Sequence, residues 1–359
     1  MINGHGGNIY ELAQRLGCPP SEILDMSSNV NPVGPLPGLI SFLKENMNSI
    51  TALPEVDAKK AVHAFAGRYG IHAQCVLAGN GTTQFIYSIP KALETKKALI
   101  LGPAYADYAD ACIMHNVAYT CLTARESLSF KHDMNQIKEA VKGFDTVFIC
   151  NPSNPTGALI PAAELELLCK SCPDTCFIID ESYLPFTGRG DRVSMINCGL
   201  SNVIILNSMS KIFRLPGLRI GFLISSEKII EKFIRYSLPW SVNSLAQAAV
   251  IYLMEKTDEV DAFIGKTVRF LENEKKLLAE RLENLRFIKL FPSTTSFVLA
   301  RLFEDLTADA VCSHVAKDKI LIRNCANFEG LSDKFIRISL KTSKTNRLLA
   351  QKLLELNNK

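Results

Sequence analysis

The sequence predicts an α/β chain: a mostly parallel central sheet covered by helices, with a smaller α+β domain beside it. Three observations carry that prediction. From about residue 55, helical patterns alternate with short apolar runs, the order that produces parallel strands joined by crossover helices. Runs such as Phe177-Ile178-Ile179 are continuously apolar, as strands covered on both faces are. After Ser244 the pattern changes to long Glu/Lys-rich helical periodicity and then to isolated strand-like runs.

In chain order, residues 1–45 read as an N-terminal arm, with a helix and an extended Pro/Gly/Asn segment. Ala78-Gly79-Asn80-Gly81-Thr82-Thr83-Gln84 is a glycine-rich turn before a helix expected to start near Phe85. The expected sheet strands are 98–101, 147–150, 177–180, 203–206 and 220–224. From Ser244 to about Leu285, long helices lead towards the second domain. Residues 295–300 and 335–340 are strand-like, and the chain closes on an amphipathic helix. The expected division is 1–45 for the arm and part of the small domain, 46–245 for the large domain and 246–359 for the small C-terminal domain.

Bulk properties exclude some classes of function. The 359 residues are 47% hydrophobic with a net charge of +4, and no run of like charges favours nucleic acid. No apolar run approaches the ~18 residues a membrane span needs. The N-terminus is rich in Gly and Asn and is not apolar, so a soluble, cytoplasmic protein is expected. Of eleven cysteines, only Cys169, Cys172 and Cys176 cluster. They lack a fourth ligand and a nearby histidine, so no metal site is expected and the thiols read as reduced and mostly buried.

The chemistry concentrates around Ser208-Met209-Ser210-Lys211, with Arg219 eight positions beyond the lysine. A lysine can form a Schiff base with an aldehyde, while Ser208, Ser210 and Arg219 can hold a phosphate. A cofactor carrying both groups is pyridoxal 5′-phosphate (PLP). Alone, S-x-S-K would be an ordinary loop lysine. Two upstream motifs give it context. Asp180 ends an apolar run, where a strand tip in an open sheet meets its ligand, and its carboxylate can pair with the pyridine nitrogen. Tyr183 follows at hydrogen-bonding reach of the cofactor's phenolic oxygen. Asn151-Pro152-Ser153-Asn154-Pro155-Thr156-Gly157 forms a stiff turn that aims the Asn154 amide at one spot. Gly81, Thr82 and Thr83, before a helix, add backbone N–H groups to the phosphate cradle.

These motifs, in this order, resemble the fold-type I PLP enzymes and, within them, the histidinol-phosphate aminotransferase branch. Gly4-His5-Gly6-Gly7-Asn8, the stretch 24–32, Pro239-Trp240-Ser241-Val242-Asn243 and the stretch 320–331 resemble more narrowly the L-threonine-O-3-phosphate decarboxylases of cobalamin synthesis. The resemblance runs essentially from end to end. It implies a homodimer and a ring-stacking role for Tyr105. It also implies that Arg323 and Arg337 hold substrate anions, helped by His5, Asn29 and Asn154. The implied substrate is a small anionic amino acid: threonine phosphate, phosphoserine or phosphonoalanine. The implied reaction is loss of CO2, with Lys211 returning a proton to Cα. A histidinol-phosphate-type aminotransferase is the alternative within the branch, and a silent PLP-binding module the alternative outside enzymes. Two positions depart from the family pattern. Leu53 stands where the family has a tyrosine that reaches the partner's cofactor phosphate, and Arg214 replaces a small residue.

Overall fold

The computed structural model describes residues 6–188 and 190–358. A seven-stranded sheet lies at its centre. Its order is Val76–Gly79, Gly221–Ile224, Val203–Ser208, Cys176–Asp180, Thr146–Cys150, Lys97–Gly102 and Ala118–Thr123. Gly221–Ile224 runs antiparallel to both its neighbours, and the other pairings are parallel. Every residue of Thr146–Cys150 and of Val203–Ser208 is buried, as the unbroken apolar runs require. The carboxyl ends of the central strands therefore fall side by side: Cys150, Asp180 and Ser208.

Helix Ser244–Glu255 packs on Lys59–Tyr69, and the 26-residue helix Thr257–Leu282 follows it. A four-stranded antiparallel sheet comes next, ordered Arg323–Asn324, Phe335–Ser339, Phe297–Leu302, Ile288–Leu290. The N-terminal arm joins this C-terminal part, because Leu24–Asp25 pairs in parallel with Ile320–Leu321. One apolar core cluster runs through both main sheets. No helix among the described residues is long and apolar enough to cross a membrane.

Three details differ from the sequence expectation. The helix expected from Phe85 begins at Thr82, because Gly81 turns the chain at φ +75° and needs no side-chain cap. The arm holds two α-helices, Ile9–Leu16 and Leu39–Glu45, not one. All eleven cysteines are free thiols, but only four are buried and seven are half-buried.

Candidate active site

A cavity of about 770 Å³ opens at the carboxyl ends of the central strands. Strand Val203–Ser208 delivers Ser208 to it, and the four-residue helix Met209–Ile212 adds Ser210 and Lys211. Desolvation and then the neighbouring Arg219 hold the Lys211 amine below its usual pKa, with Asp180 pulling the other way. A lysine so placed is closer to the neutral nucleophile than a solvated one. The arm steadies it, since the Asn31 N–H donates to the Lys211 carbonyl at 3.0 Å.

Around this lysine the residues fit a phosphate-bearing aldehyde. Ser210 Oγ is 2% exposed and has no hydrogen-bond partner among the described residues. An orphaned buried hydroxyl is costly, and a bound anion would satisfy it. A Cβ on Gly81 would come within 2.6 Å of Arg219 Nη2, and one on Gly221 within 2.6 Å of the Thr82 nitrogen. Arg219, the turn and the first turn of helix Thr82–Ala92 thus close on one another with no side chain between them. The free N–H groups of that helix start complete an anion cradle.

On the ring side, Asp180 Oδ2 accepts from the Tyr108 hydroxyl at 2.8 Å and Oδ1 from the Ser182 N–H at 3.0 Å. The carboxylate is therefore fixed from two directions. Tyr108 is 1% exposed and stacks on Phe148 at 5.3 Å. Burial, with Asp180 beside it, keeps its hydroxyl protonated and donating. Sequence reasoning missed Tyr108, although it follows Tyr105 by three positions and so sits near it at the start of helix Asp107–Met114. The Tyr183 hydroxyl accepts from Asn29 Nδ2 at 3.2 Å, and Asn29 Oδ1 accepts from Ser339 Oγ at 2.6 Å.

Two arginines face the same cavity from the C-terminal sheet. Arg323 and Arg337 are direct cross-strand partners. Like charges opposite one another destabilise a sheet, so the pair conflicts with local stability, and a bound anion would relieve it. Arg337 is 4% exposed; Nη1 donates to Asn154 Oδ1 and Nη2 to the Ser27 carbonyl at 2.6 Å. Its Nε is buried without a partner among the described residues. Arg323 donates to Asn327 Oδ1 at 2.6 Å and stacks 5.1 Å from the Phe328 ring.

The cavity brings together Asn29, Gly81, Thr82, Thr83, Tyr105, Asn154, Asp180, Tyr183, Ser208, Ser210, Lys211, Arg219, Arg323 and Arg337, each picked out from sequence. His5 lies outside the described residues. Leu53 is 75% exposed and absent from the lining. Sequence reasoning also missed Lys341, whose Nζ donates to the Ser28 carbonyl at 2.8 Å at the cavity wall. Besides Lys211, five basic side chains line the cavity, namely Arg214, Arg219, Arg323, Arg337 and Lys341, against two carboxylates, Asp25 and Asp180. Such a site favours a ligand with several negative charges.

Residues 21–353 match the protein-family model described as aminotransferase class I and II. An adenosylcobalamin biosynthesis bifunctional protein of Leptospira interrogans is 33% identical over 96% of this chain, which spans only 40% of that relative's length. The crystal structure of L-threonine-O-3-phosphate decarboxylase from Porphyromonas gingivalis superposes with a TM-score of 0.84 at 29% identity, covering 94% of this chain and 100% of that one. The histidinol-phosphate aminotransferase structure from Clostridium acetobutylicum gives a TM-score of 0.86 at 28% identity, covering 94% and 99%.

Proposed function

Because the chain belongs to the class I and II aminotransferase family, whose enzymes use PLP, we propose that this site decarboxylates a small phosphorylated amino acid, L-threonine O-3-phosphate before others. Relatives named for threonine-phosphate decarboxylation and for adenosylcobalamin biosynthesis support the reading of a PLP-dependent decarboxylase of the cobalamin route. The observation that carries the reading is the excess of cations at the cavity, with Arg323 and Arg337 in cross-strand register. A substrate bearing both a carboxylate and a phosphate matches that excess.

PLP, when bound, supplies an aldehyde for the substrate amine and a protonated ring that takes up the electron pair of a broken Cα bond. Gly81, Thr82, Thr83, Ser208, Ser210 and Arg219 would hold its phosphate. Asp180 would pair with the ring nitrogen, Tyr183 and Asn154 would reach the phenolic oxygen, and Tyr105 would cover the ring. Lys211 would have two tasks: its Nζ would anchor the cofactor, and as a free ammonium it would return a proton to the substrate Cα.

The choice of reaction depends on which Cα bond stands perpendicular to the ring. An arginine fork that pins the carboxylate in the ring plane favours transfer of the amino group. Here Arg337 already commits one N–H of each terminal nitrogen, to Asn154 and to Ser27. Cations that hold the remote phosphate instead leave the carboxylate free to stand perpendicular, so binding energy away from the reacting bond orients it. A shared two-fold interface, as in the family, makes the working unit a homodimer.

The test is CO2 release by PLP-loaded protein given O-phospho-L-threonine, O-phospho-L-serine or phosphonoalanine. Histidinol phosphate with 2-oxoglutarate serves as the transamination control. One methyl group is worth only ~1–3 kcal/mol in a pocket, so a preference of roughly 10- to 200-fold for phosphothreonine is expected over phosphoserine. Lys211→Ala should lose both turnover and the visible absorbance of the bound cofactor. Glutamate formed without CO2 would overturn the decarboxylase reading in favour of the aminotransferase.

A further inference from the structure

Resting on the substrate reading above, we infer that Lys341 is a specificity-determining residue whose ammonium, with Arg214, receives the substrate's phosphate.

The placement follows from strand geometry. Side chains two residues apart share one face of a strand, so Arg337, Ser339 and Lys341 form a row along Phe335–Ser339 and its continuation. That row meets the arm. Arg337 Nη2 donates to the Ser27 carbonyl, Lys341 Nζ to the Ser28 carbonyl and Ser339 Oγ to Asn29 Oδ1. An ammonium has three donors, and the Ser28 carbonyl is the single acceptor of Lys341 Nζ among the described residues.

Its electrostatic setting makes a purely structural role a poor explanation. Arg214 and Arg337 both act on Lys341 as like charges, and Asp25 is the opposing carboxylate. Asp25 is already engaged by the N–H groups and hydroxyls of Ser27 and Ser28, at 2.5 to 3.1 Å. No ion pair joins it to Lys341 among the described residues. Using a buried ammonium that two guanidinium groups disfavour to hold one carbonyl is wasteful, since a neutral donor would do it without the desolvation cost. Arg214 adds a second sign of function: it holds φ +52°, a left-handed conformation that is strained for a non-glycine residue. A compact, rotatable ammonium suits a tetrahedral phosphate, and a guanidinium fork can grip the same group bidentately.

The experiment measures binding to the PLP-loaded enzyme through the change in cofactor absorbance. It uses O-phosphoethanolamine and ethanolamine, which differ only in the phosphate and carry no carboxylate to lose. Wild type should prefer the phosphorylated ligand. Lys341→Gln keeps a donor for the Ser28 carbonyl but removes the charge. It should weaken O-phosphoethanolamine by about 10- to 100-fold, the range of one charge-assisted hydrogen bond, and change ethanolamine less than about twofold. Lys341→Arg should restore most of the preference. If Lys341→Gln weakens both ligands equally, or neither, Lys341 only clamps the arm and this inference falls while the substrate reading stands. If wild type shows no preference for the phosphate, the substrate reading falls, and this inference with it.

Discussion

Burial acts differently on Arg337, in the strand Phe335–Ser339, and on Lys341, two residues past its end. Desolvation lowers the affinity of each for its proton. Arg337 starts so high that it remains a cation at any working pH. The Lys341 ammonium is pushed down to about 8 by burial and by Arg214 and Arg337, with Asp25 opposing them. The protonated form binds the anion, so the charge is present below that value and lost as pH rises through it. A phosphate monoester is already dianionic above its second pKa near 6 and does not change over this range. The KM for the phosphorylated substrate should therefore climb as pH passes upward through about 8. A pH profile from 6.5 to 9.5 on wild type and Lys341→Arg checks this, because the arginine variant should lack the climb. Lys341 was hidden in the sequence among 40 lysines and arginines, and only its meeting with Ser28 across the fold sets it apart. Lys211 was legible because its neighbours in sequence are also its neighbours in space.

At the scale of elements, the anion cradle depends on backbone passing very close to backbone. Gly221 opens its strand directly against the start of helix Thr82–Ala92. In Gly221→Ala the new Cβ would meet the Thr82 backbone nitrogen at 2.6 Å, and a main-chain atom cannot swing aside. Overpacking of this kind costs ~1–3 kcal/mol. PLP affinity should fall about 5- to 100-fold, read by titrating the apoenzyme with cofactor. Gly217→Ala, with nothing within 4 Å, should change affinity little and serves as the control. The sheet strands were legible because unbroken apolar runs between helices have few other uses. The helix start was misread by three residues because Thr82 and Thr83 are weak helix formers, and neither looks like the opening of a helix. Arg323 and Arg337 stood out individually, but that they face each other is a matter of register, and register across a loop of ten residues is not written in either strand.

At the scale of the molecule, the exposed apolar side chains are not scattered evenly. Ile50, Leu53 and Val56 lie 59%, 75% and 51% exposed, and Leu238 and Trp240 lie 71% and 48% exposed. The two segments touch, as the Trp240 N–H donates to the Val56 carbonyl at 3.0 Å. An apolar patch of this kind on a water-facing surface marks an interface. We expect sedimentation at twice the 39.7 kDa chain mass. Leu53→Asp combined with Trp240→Glu should shift the species to a monomer and lower turnover with it, while circular dichroism stays native.

The joining of Leu24–Asp25 to Ile320–Leu321 also has a consequence for biosynthesis. The arm leaves the ribosome 296 positions before its pairing partner. At ordinary elongation speeds of ~5–20 residues per second, that is a wait of roughly 15–60 s. Throughout it, the nascent chain can finish its central sheet and position Lys211, but it cannot close the wall that contacts substrate. Catalytic competence thus waits until Ile320–Leu321 returns to capture the arm.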